Sequence, residues 1–212
     1  MFDYKKYSKI KETIEKMGKN TKIIAISKNH PYQSIEEAIN HKVFVFGENR
    51  VQEAKKKFEE LKKANRSIEL HLTGPLQTNK VKQALTIFDV FHTIDREKLL
   101  KEISKFKDRL DNKRFFIQVN TGKEPTKSGV YPENTENFLD LSYSYGIKNI
   151  KGLMCIPPIE EDPKKHFEII KNLCDKLGLK ELSIGMSSDY LDALEFNPTY
   201  IRLGTILFGK RT

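Results

Sequence analysis

Short apolar runs rich in β-branched residues alternate along the chain with longer segments whose apolar residues recur at helical spacing. The first segment, residues 4–17, has this helical spacing and is followed by Gly18, a residue typical of helix ends. Eight strands are predicted after it, at 22–27, 43–46, 68–72, 89–93, 114–119, 150–154, 181–184 and 200–203. The predicted helices between them are 34–41, 51–64, 79–85, 96–106, 133–145, 163–177 and 189–195, with one more short helix near the C-terminus.

Eight strand–helix alternations predict a parallel sheet, because neighbouring parallel strands need a crossover connection of about a dozen residues or more. Eight such units are the composition of a closed (β/α)8 barrel, here with an additional N-terminal helix. We therefore predict an α/β protein with a single TIM-barrel domain over residues 1–212. An open, doubly wound sheet is the alternative.

Composition narrows the class of protein without indicating its chemistry. The chain has 38 Lys and Arg against 29 Asp and Glu, and 38% of its residues are hydrophobic, enough for a core. Its basic residues are dispersed among glutamates, as on solvated helix faces, so we expect no nucleic-acid partner. No apolar run reaches the ~18 residues of a membrane span and the first residues lack a secretory signal, so we expect a cytoplasmic protein. Cys155 and Cys174 are expected to stay reduced, and no metal-ligand spacing is present.

Polar residues follow the predicted strands, at the end of a barrel where active sites lie. Lys28 is the first of them, directly after the apolar run at 23–27. A partly desolvated lysine loses its proton more readily and can form a Schiff base with an aldehyde. The simpler interpretation is that Lys28 is only the first polar residue after a strand. The other strand ends, which carry Asn49 and Arg202 among others, favour a functional role.

Two of the strand-end turns have the features of a phosphate site. The turn at 185–188, which contains Met186, Ser187 and Ser188, follows the seventh predicted strand, and Gly204-Thr205 follows the eighth. The loops after these two strands commonly bind phosphate in this architecture, with the N–H groups of the next helix facing the anion. A serine here can also serve only as a helix N-cap, and both roles use the same N–H groups.

Eight segments together resemble the pyridoxal phosphate homeostasis protein family, single-domain relatives of the alanine racemase barrel. They are IAISK (24–28), FGENRVQE (46–53), HLTGPLQTNK (71–80), QVN (118–120), EPTKSG (124–129), GLMCIPP (152–158), SIGMSSD (183–189) and IRLGTILFG (201–209). They occur in the family order over nearly the whole chain. The chain departs from the family at Pro75, where His is usual, at Arg50, where an aromatic residue is usual, and at Leu70, often Trp. These departures put in doubt a role for the Pro75 loop in ligand capture.

The resemblance implies a binding site for pyridoxal 5'-phosphate (PLP). It implies that Lys28 holds the cofactor as an internal aldimine and that Arg202 lies near the pyridine nitrogen or the phosphate edge. The other residues implied are Ser187, Ser188, Gly204 and Thr205 at the phosphate, Asn49 near the ring and Met186 at the turn under the cofactor.

An arginine at the pyridine nitrogen disfavours protonation of the ring and weakens it as an electron sink. The second base of alanine racemases is a tyrosine from another domain, and with the chain ending at Thr212 we expect no such domain and a monomer. We therefore expect little or no turnover and a protein that holds PLP for vitamin B6 homeostasis and hands it to PLP-dependent apo-enzymes. A small PLP-dependent amino-acid racemase is the alternative. A second alternative is a barrel that binds a phosphorylated metabolite, with Lys28 as an aldolase-type residue.

Overall fold

Eight parallel strands close into a barrel in the computed structural model, which describes residues 1–209. Each strand pairs with the next along the chain, and β1 also pairs with β8, for example Ile24 with Arg202. This closure confirms the (β/α)8 barrel and excludes the open sheet. The strands are β1 (Lys22–Ile26), β2 (Val45–Glu48), β3 (Glu69–Leu72), β4 (Val90–Ile94), β5 (Arg114–Val119), β6 (Ile150–Cys155), β7 (Glu181–Ser183) and β8 (Tyr200–Leu203).

Helices connect the strands and surround the barrel. They are α1 (Tyr4–Lys16), α2 (Tyr32–Asn40), α3 (Val51–Ala64), α4 (Val81–Ile87), α5 (Glu97–Ile103), α6 (Thr135–Ser144), α7 (Pro163–Lys176), α8 (Tyr190–Leu194) and α9 (Thr205–Phe208). Short 3-10 turns at Thr78–Lys80, Ser104–Arg109 and Pro132–Asn134 adjoin them. Among residues 1–209, no helix combines the length and the apolar character needed to cross a bilayer.

The expected position of β2 was two residues too early. The apolar run at 43–46 suggested a strand that ends before Gly47. In the structure the ladder to β3 begins at Val45 and continues through Gly47, paired with His71, and Glu48, paired with Leu72. Pairing with a neighbouring strand, rather than local hydrophobicity, therefore sets this boundary.

Strand residues alternate between two cores, as expected from the two-residue period of a strand. One face of each strand packs against the helices, and the other fills the barrel lumen. The apolar cluster in the lumen consists of Ile24, Ile26, Val90, Phe116, Met154 and Tyr200, with Val45 packed against it. The lumen is filled at this level: a Cβ at Gly47 would lie 2.4 Å from Cδ1 of Ile26. The barrel is therefore a packed scaffold, and its open space lies at the ends of the strands.

Helix α1 is the additional N-terminal helix that the sequence predicted. The side chain of Asp3 caps it by accepting a hydrogen bond from the backbone N–H of Lys6 at 3.0 Å. The segment before it docks on α9, where the rings of Phe2 and Phe208 lie 5.3 Å apart. The N–H of Asp3 also donates to the carbonyl of Leu207 at 2.8 Å. The first helix is thus tied to the last one, directly after β8.

Candidate functional site

A pocket of about 360 Å³ opens at the C-terminal end of the barrel. It brings together all eight residues that the sequence singled out. They are Lys28, Asn49, Met186, Ser187, Ser188, Arg202, Gly204 and Thr205. Ile26, Thr73 and Ile156 complete the lining and were not among the predicted site residues. The sequence pattern could have indicated all three. Ile26 lies two residues before Lys28 on the same strand face, and Thr73 and Ile156 directly follow β3 and β6.

Strand alternation aims Lys28 into the pocket. Ile26 faces the lumen, Ser27 faces outward into the helical layer, and Lys28 turns back toward the pocket, where it is half-buried. The outward Ser27 is fixed in place: its hydroxyl donates to Oε1 of Glu48 at 2.7 Å, and its carbonyl accepts from Nζ of Lys57 at 2.9 Å. The residue before Lys28 therefore has little freedom to move.

A partly buried ion cluster lies behind this strand end. Nζ of Lys57 contacts Oε1 of Glu48 at 3.1 Å and Oε1 of Glu53 at 2.6 Å, and the latter oxygen also accepts from the backbone N–H of Asn29 at 2.6 Å. Glu48 is fully buried, and its burial raises the pKa to about 7 even though Lys57 and the Ser27 hydroxyl act to lower it. The cluster joins α3 to the segments before and after Lys28.

Asn49 is held at the pocket wall by the loop that follows β3. The Thr73 hydroxyl donates to Oδ1 of Asn49 at 3.0 Å. Gly74 packs directly on the Asn49 backbone, where a Cβ would lie 2.5 Å from the carbonyl oxygen. Only a glycine permits this approach, so Gly74 serves the placement of Asn49.

The turns after β7 and β8 form the opposite wall. Gly185 has φ +86°, and a Cβ there would lie 2.6 Å from Cβ of Ala193, so this turn requires glycine for both conformation and space. Asp189 closes the turn by accepting from the backbone N–H of Met186 at 2.5 Å. The N–H of Arg202 donates to the carbonyl of Gly185 at 2.9 Å, which joins the two turns. Helices α8 and α9 have only five and four residues, so their dipoles are small, and the hydrogen-bond donors that this wall offers are hydroxyl and backbone N–H groups.

Arg202 is the buried cation of the pocket, with 5% of its surface exposed. Its Nη1 donates to the carbonyl oxygen of Ser183 at 2.7 Å and to the Oγ of Ser183 at 2.9 Å, and its Nη2 donates to the carbonyl of Cys155 at 2.8 Å. A guanidinium has five N–H donors and no acceptor, so these bonds leave two donors for a ligand. Such an arrangement suits a ligand atom that accepts hydrogen bonds.

Other reactive side chains, the thiol of Cys155 and the imidazoles of His71 and His92, do not line the pocket. Burial raises the pKa of the Cys155 thiol to about 12, which makes it a packing residue. His71 and His92 lie in the lumen below the pocket and are fully buried. Within the described part of the chain, no group of His, Cys, Asp and Glu is arranged to hold a metal ion.

Comparison with known proteins assigns the family. The family model described as "Alanine racemase, N-terminal domain" matches residues 5–212. The "Pyridoxal phosphate homeostasis protein" of Aquifex aeolicus is 39% identical over 96% of this chain and 94% of its own length. The protein of the same name from Helicobacter pylori is 35% identical over 89% of this chain and 87% of its own. This chain belongs to the pyridoxal phosphate homeostasis protein family.

Solved structures agree with this family and with the barrel. PipY of Synechococcus elongatus, solved with PLP bound, is 32% identical and superimposes with a TM-score of 0.77, over 90% of this chain and 93% of its own. The same protein without PLP has a TM-score of 0.81 at 33% identity over the same shares. Alanine racemase from Corynebacterium glutamicum matches 91% of this chain and 57% of its own with a TM-score of 0.67 at 16% identity, which indicates a shared fold alone.

Proposed function

We propose that this chain binds PLP in the pocket at the C-terminal end of its barrel and acts in PLP homeostasis. The observation that carries the proposal is the convergence of the Lys28 amine, the hydroxyl-rich turns and the Arg202 guanidinium on one pocket. The PLP-bound structure of PipY, which is 32% identical, supports it.

The pocket fits the cofactor in size and in chemistry. Its volume of about 360 Å³ lies in the ~300–1,000 Å³ range of small-molecule sites, near the lower end. Ile26, Ile156 and Met186 offer apolar surface for an aromatic ring. Amine, hydroxyl and guanidinium groups on the remaining walls match an aldehyde, a phosphate and a ring nitrogen.

Lys28 is the proposed point of covalent attachment. PLP supplies an aldehyde and an electron-accepting ring when it is bound. The unprotonated Nζ of Lys28 would add to the aldehyde carbon and expel one water molecule, which leaves a C=N bond, a Schiff base. The fixed Ser27 and the pocket wall orient the amine for this step.

The phosphate is assigned to the two turns opposite Lys28. Ser187, Ser188 and Thr205 supply hydroxyl donors there, and the backbone at Gly204 can approach closely because no side chain intervenes. Asn49 and Met186 border the space left for the ring. In this proposed arrangement, the cofactor extends across the mouth of the barrel from Lys28 to the two turns.

The absence of strong turnover is proposed from Arg202. A guanidinium can only donate hydrogen bonds, so a ring nitrogen that accepts from its two remaining donors would stay unprotonated and the ring would accept electrons weakly. Such a site holds PLP without driving amino-acid chemistry. We infer a cytoplasmic monomer that limits free PLP aldehyde and hands PLP to apo-enzymes that depend on it.

Borohydride reduction tests the attachment directly. Protein reconstituted with PLP should show an absorption band at the edge of the visible, and reduction followed by peptide mapping should place the adduct on Lys28. Lys28→Arg keeps the charge but removes the nucleophile, so the band and the adduct should be lost. Lys80→Arg, in the neighbouring cleft, is the matched control and should keep both. A colourless protein, or an adduct on another lysine, refutes the proposed site.

A turnover assay separates carriage from catalysis. PLP-saturated protein should racemise alanine no faster than free PLP does. Substantial racemisation that disappears in Lys28→Arg would instead establish a small PLP-dependent racemase. Transfer of PLP from this protein to an apo-enzyme, measured by recovery of that enzyme's activity, tests the homeostasis role.

A further inference from the structure

A chain of hydrogen bonds crosses the barrel lumen from its N-terminal rim to the pocket. Oε1 of Glu69 lies 2.8 Å from Nε2 of His71, and Nδ1 of His71 lies 2.8 Å from Nε2 of His92. Nδ1 of His92 lies 3.0 Å from Oγ of Ser183, which in turn accepts from Arg202 at 2.9 Å. The five side chains come from four different strands. These hydrogen bonds therefore connect the N-terminal rim of the barrel to the guanidinium of Arg202 in the pocket.

Glu69, at the N-terminal end of this series of hydrogen bonds, can only accept hydrogen bonds. Arg114 contacts the second carboxylate oxygen of Glu69 at 2.5 Å. Burial alone would raise the pKa of Glu69, but the hydrogen bond from His71 and the charge of Arg114 hold this pKa below its usual value. An ionised carboxylate has no proton to donate. Nε2 of His71 must therefore carry a hydrogen and donate it to Glu69.

Both histidines are neutral, so each has one N–H. Both are fully buried, and burial lowers the pKa of His71 and lowers that of His92 well below its usual value. The charged side chains that face them act in both directions, Arg114 and Arg202 against protonation and Glu69 and Asp89 in favour of it at His71.

One direction of donation follows along the whole chain. Because His71 donates from Nε2, its Nδ1 accepts, and the donor there is Nε2–H of His92. Nδ1 of His92 then accepts in its turn, and its donor is the hydroxyl of Ser183. The single hydroxyl hydrogen of Ser183 is thereby committed, so its oxygen turns a lone pair toward Arg202.

Packing prevents the rings from rotating out of this chain. His92 stacks on Phe116 with ring centroids 4.6 Å apart and planes 2° from parallel. Tyr200 lies edge-on to His71 at 5.0 Å, and its hydroxyl accepts from Arg114 at 2.7 Å. With the rings fixed, the chain can change only by moving hydrogens between nitrogens.

We propose that Glu69 is a positioning residue for Arg202 and acts through His71, His92 and Ser183. The carboxylate fixes which nitrogen of each histidine is protonated, and so fixes the acceptor that holds the guanidinium with its free donors toward the pocket. The identity of the ligand that those donors meet rests on the proposed function, whereas the direction of the chain needs no ligand.

Nitrogen NMR on ligand-free, histidine-labelled protein tests the direction. We expect His71 and His92 both to be neutral and protonated on Nε2. In Glu69→Gln, the amide oxygen should stay with the charged donor Arg114, because charge-assisted hydrogen bonds are the stronger ones. The amide NH₂ then faces His71, and both histidines should change to the Nδ1–H form. Glu60→Gln, on an exposed helix face, should change neither. Nδ1–H in the wild type, or no change in Glu69→Gln, overturns the proposal.

Measurements of PLP binding test whether the hydrogen-bond series affects Arg202. His92→Phe keeps a ring against Phe116 but breaks the series of hydrogen bonds between Glu69 and Arg202. The control, His166→Phe, removes a buried histidine of α7 that takes no part in that series. After urea unfolding has shown that both variants fold, His92→Phe should bind PLP about tenfold more weakly, as for the loss of ~1.4 kcal/mol, with a shifted absorption band. Glu69→Gln should shift the band in the same sense, and His166→Phe should match the wild type. If PLP affinity and absorption are unchanged in both His92→Phe and Glu69→Gln, the positioning role is wrong. A wild type that binds no PLP refutes the proposed function. The NMR experiment, which uses ligand-free protein, still tests the direction of the hydrogen bonds in that case.

Discussion

Replacing Glu48 by Gln should stabilise the protein above neutral pH and leave it almost unchanged near pH 5. Glu48 is fully buried, and within residues 1–209 its Oε2 has no hydrogen-bond partner. Its Oε1 accepts from Ser27 and Lys57. Burial nevertheless outweighs these contacts and raises the pKa to about 7. Ionised Glu48 is thus a source of instability beside the strand that carries Lys28.

The sign and the size of the expected change in unfolding free energy follow from this pKa. In the unfolded chain the carboxyl titrates at its ordinary value of 4.5, so between 4.5 and about 7 the folded protein holds a proton that the unfolded chain has lost. Its stability therefore falls as pH rises through this window and levels off above about 7. The difference between the two values corresponds to roughly 3 kcal/mol at ~1.4 kcal/mol per pH unit. Glutamine avoids this penalty but leaves one unpartnered amide, so we expect a net gain of about 1–3 kcal/mol.

Urea unfolding at about pH 5 and about pH 8.5 measures the effect. The difference in unfolding free energy between wild type and Glu48→Gln isolates this carboxyl, because every other group titrates in both proteins. Glu60→Gln removes an exposed charge from the same region and should show no such pH dependence. An equal difference at both pH values, or a variant less stable than the wild type at about pH 8.5, refutes the reasoning.

Three further predictions concern the turns and the thiols. Gly185→Ala should lower the unfolding free energy by about 2–4 kcal/mol and weaken PLP binding, because both its φ and its close packing exclude a methyl group, whereas Gly178→Ala, with φ +67° in open space, should cost only about 1 kcal/mol in the same urea titration. Ser187→Ala should weaken PLP binding about tenfold and leave binding of pyridoxal, which lacks the phosphate, unchanged in parallel absorbance titrations; equal losses for both ligands would contradict a phosphate role. Burial raises the pKa of Cys155 to about 12 and that of Cys174 to about 11, so both thiols should react with a disulfide reagent at about pH 8 only after unfolding in urea, and fast reaction of the folded protein would contradict this.

The sequence alone determined the repeated strand and helix pattern and the position of the site along the chain. Strand and helix periods depend on residues a few positions apart, so eight strands could be predicted, most of them within one or two residues of their observed ends. The rule that parallel barrels place their functional residues at and beyond the C-terminal ends of the strands then selected Lys28, Asn49 and Arg202. All eight selected residues line one pocket, and their roles toward PLP remain proposals.

The tertiary structure decided what depends on register between strands far apart in sequence. Pairing of β1 with β8 closed the barrel, and pairing of β2 with β3 brought Gly47 and Glu48 into a strand. The hydrogen-bond chain from Glu69 to Arg202 likewise depends on which residues of separate strands stand at the same level of the lumen. Each of its histidines looks in sequence like an ordinary strand residue. The register of β3 against β4 places them 2.8 Å apart, and the curvature of the whole sheet brings Ser183 of β7 to within 3.0 Å of His92, a contact that no local pattern shows.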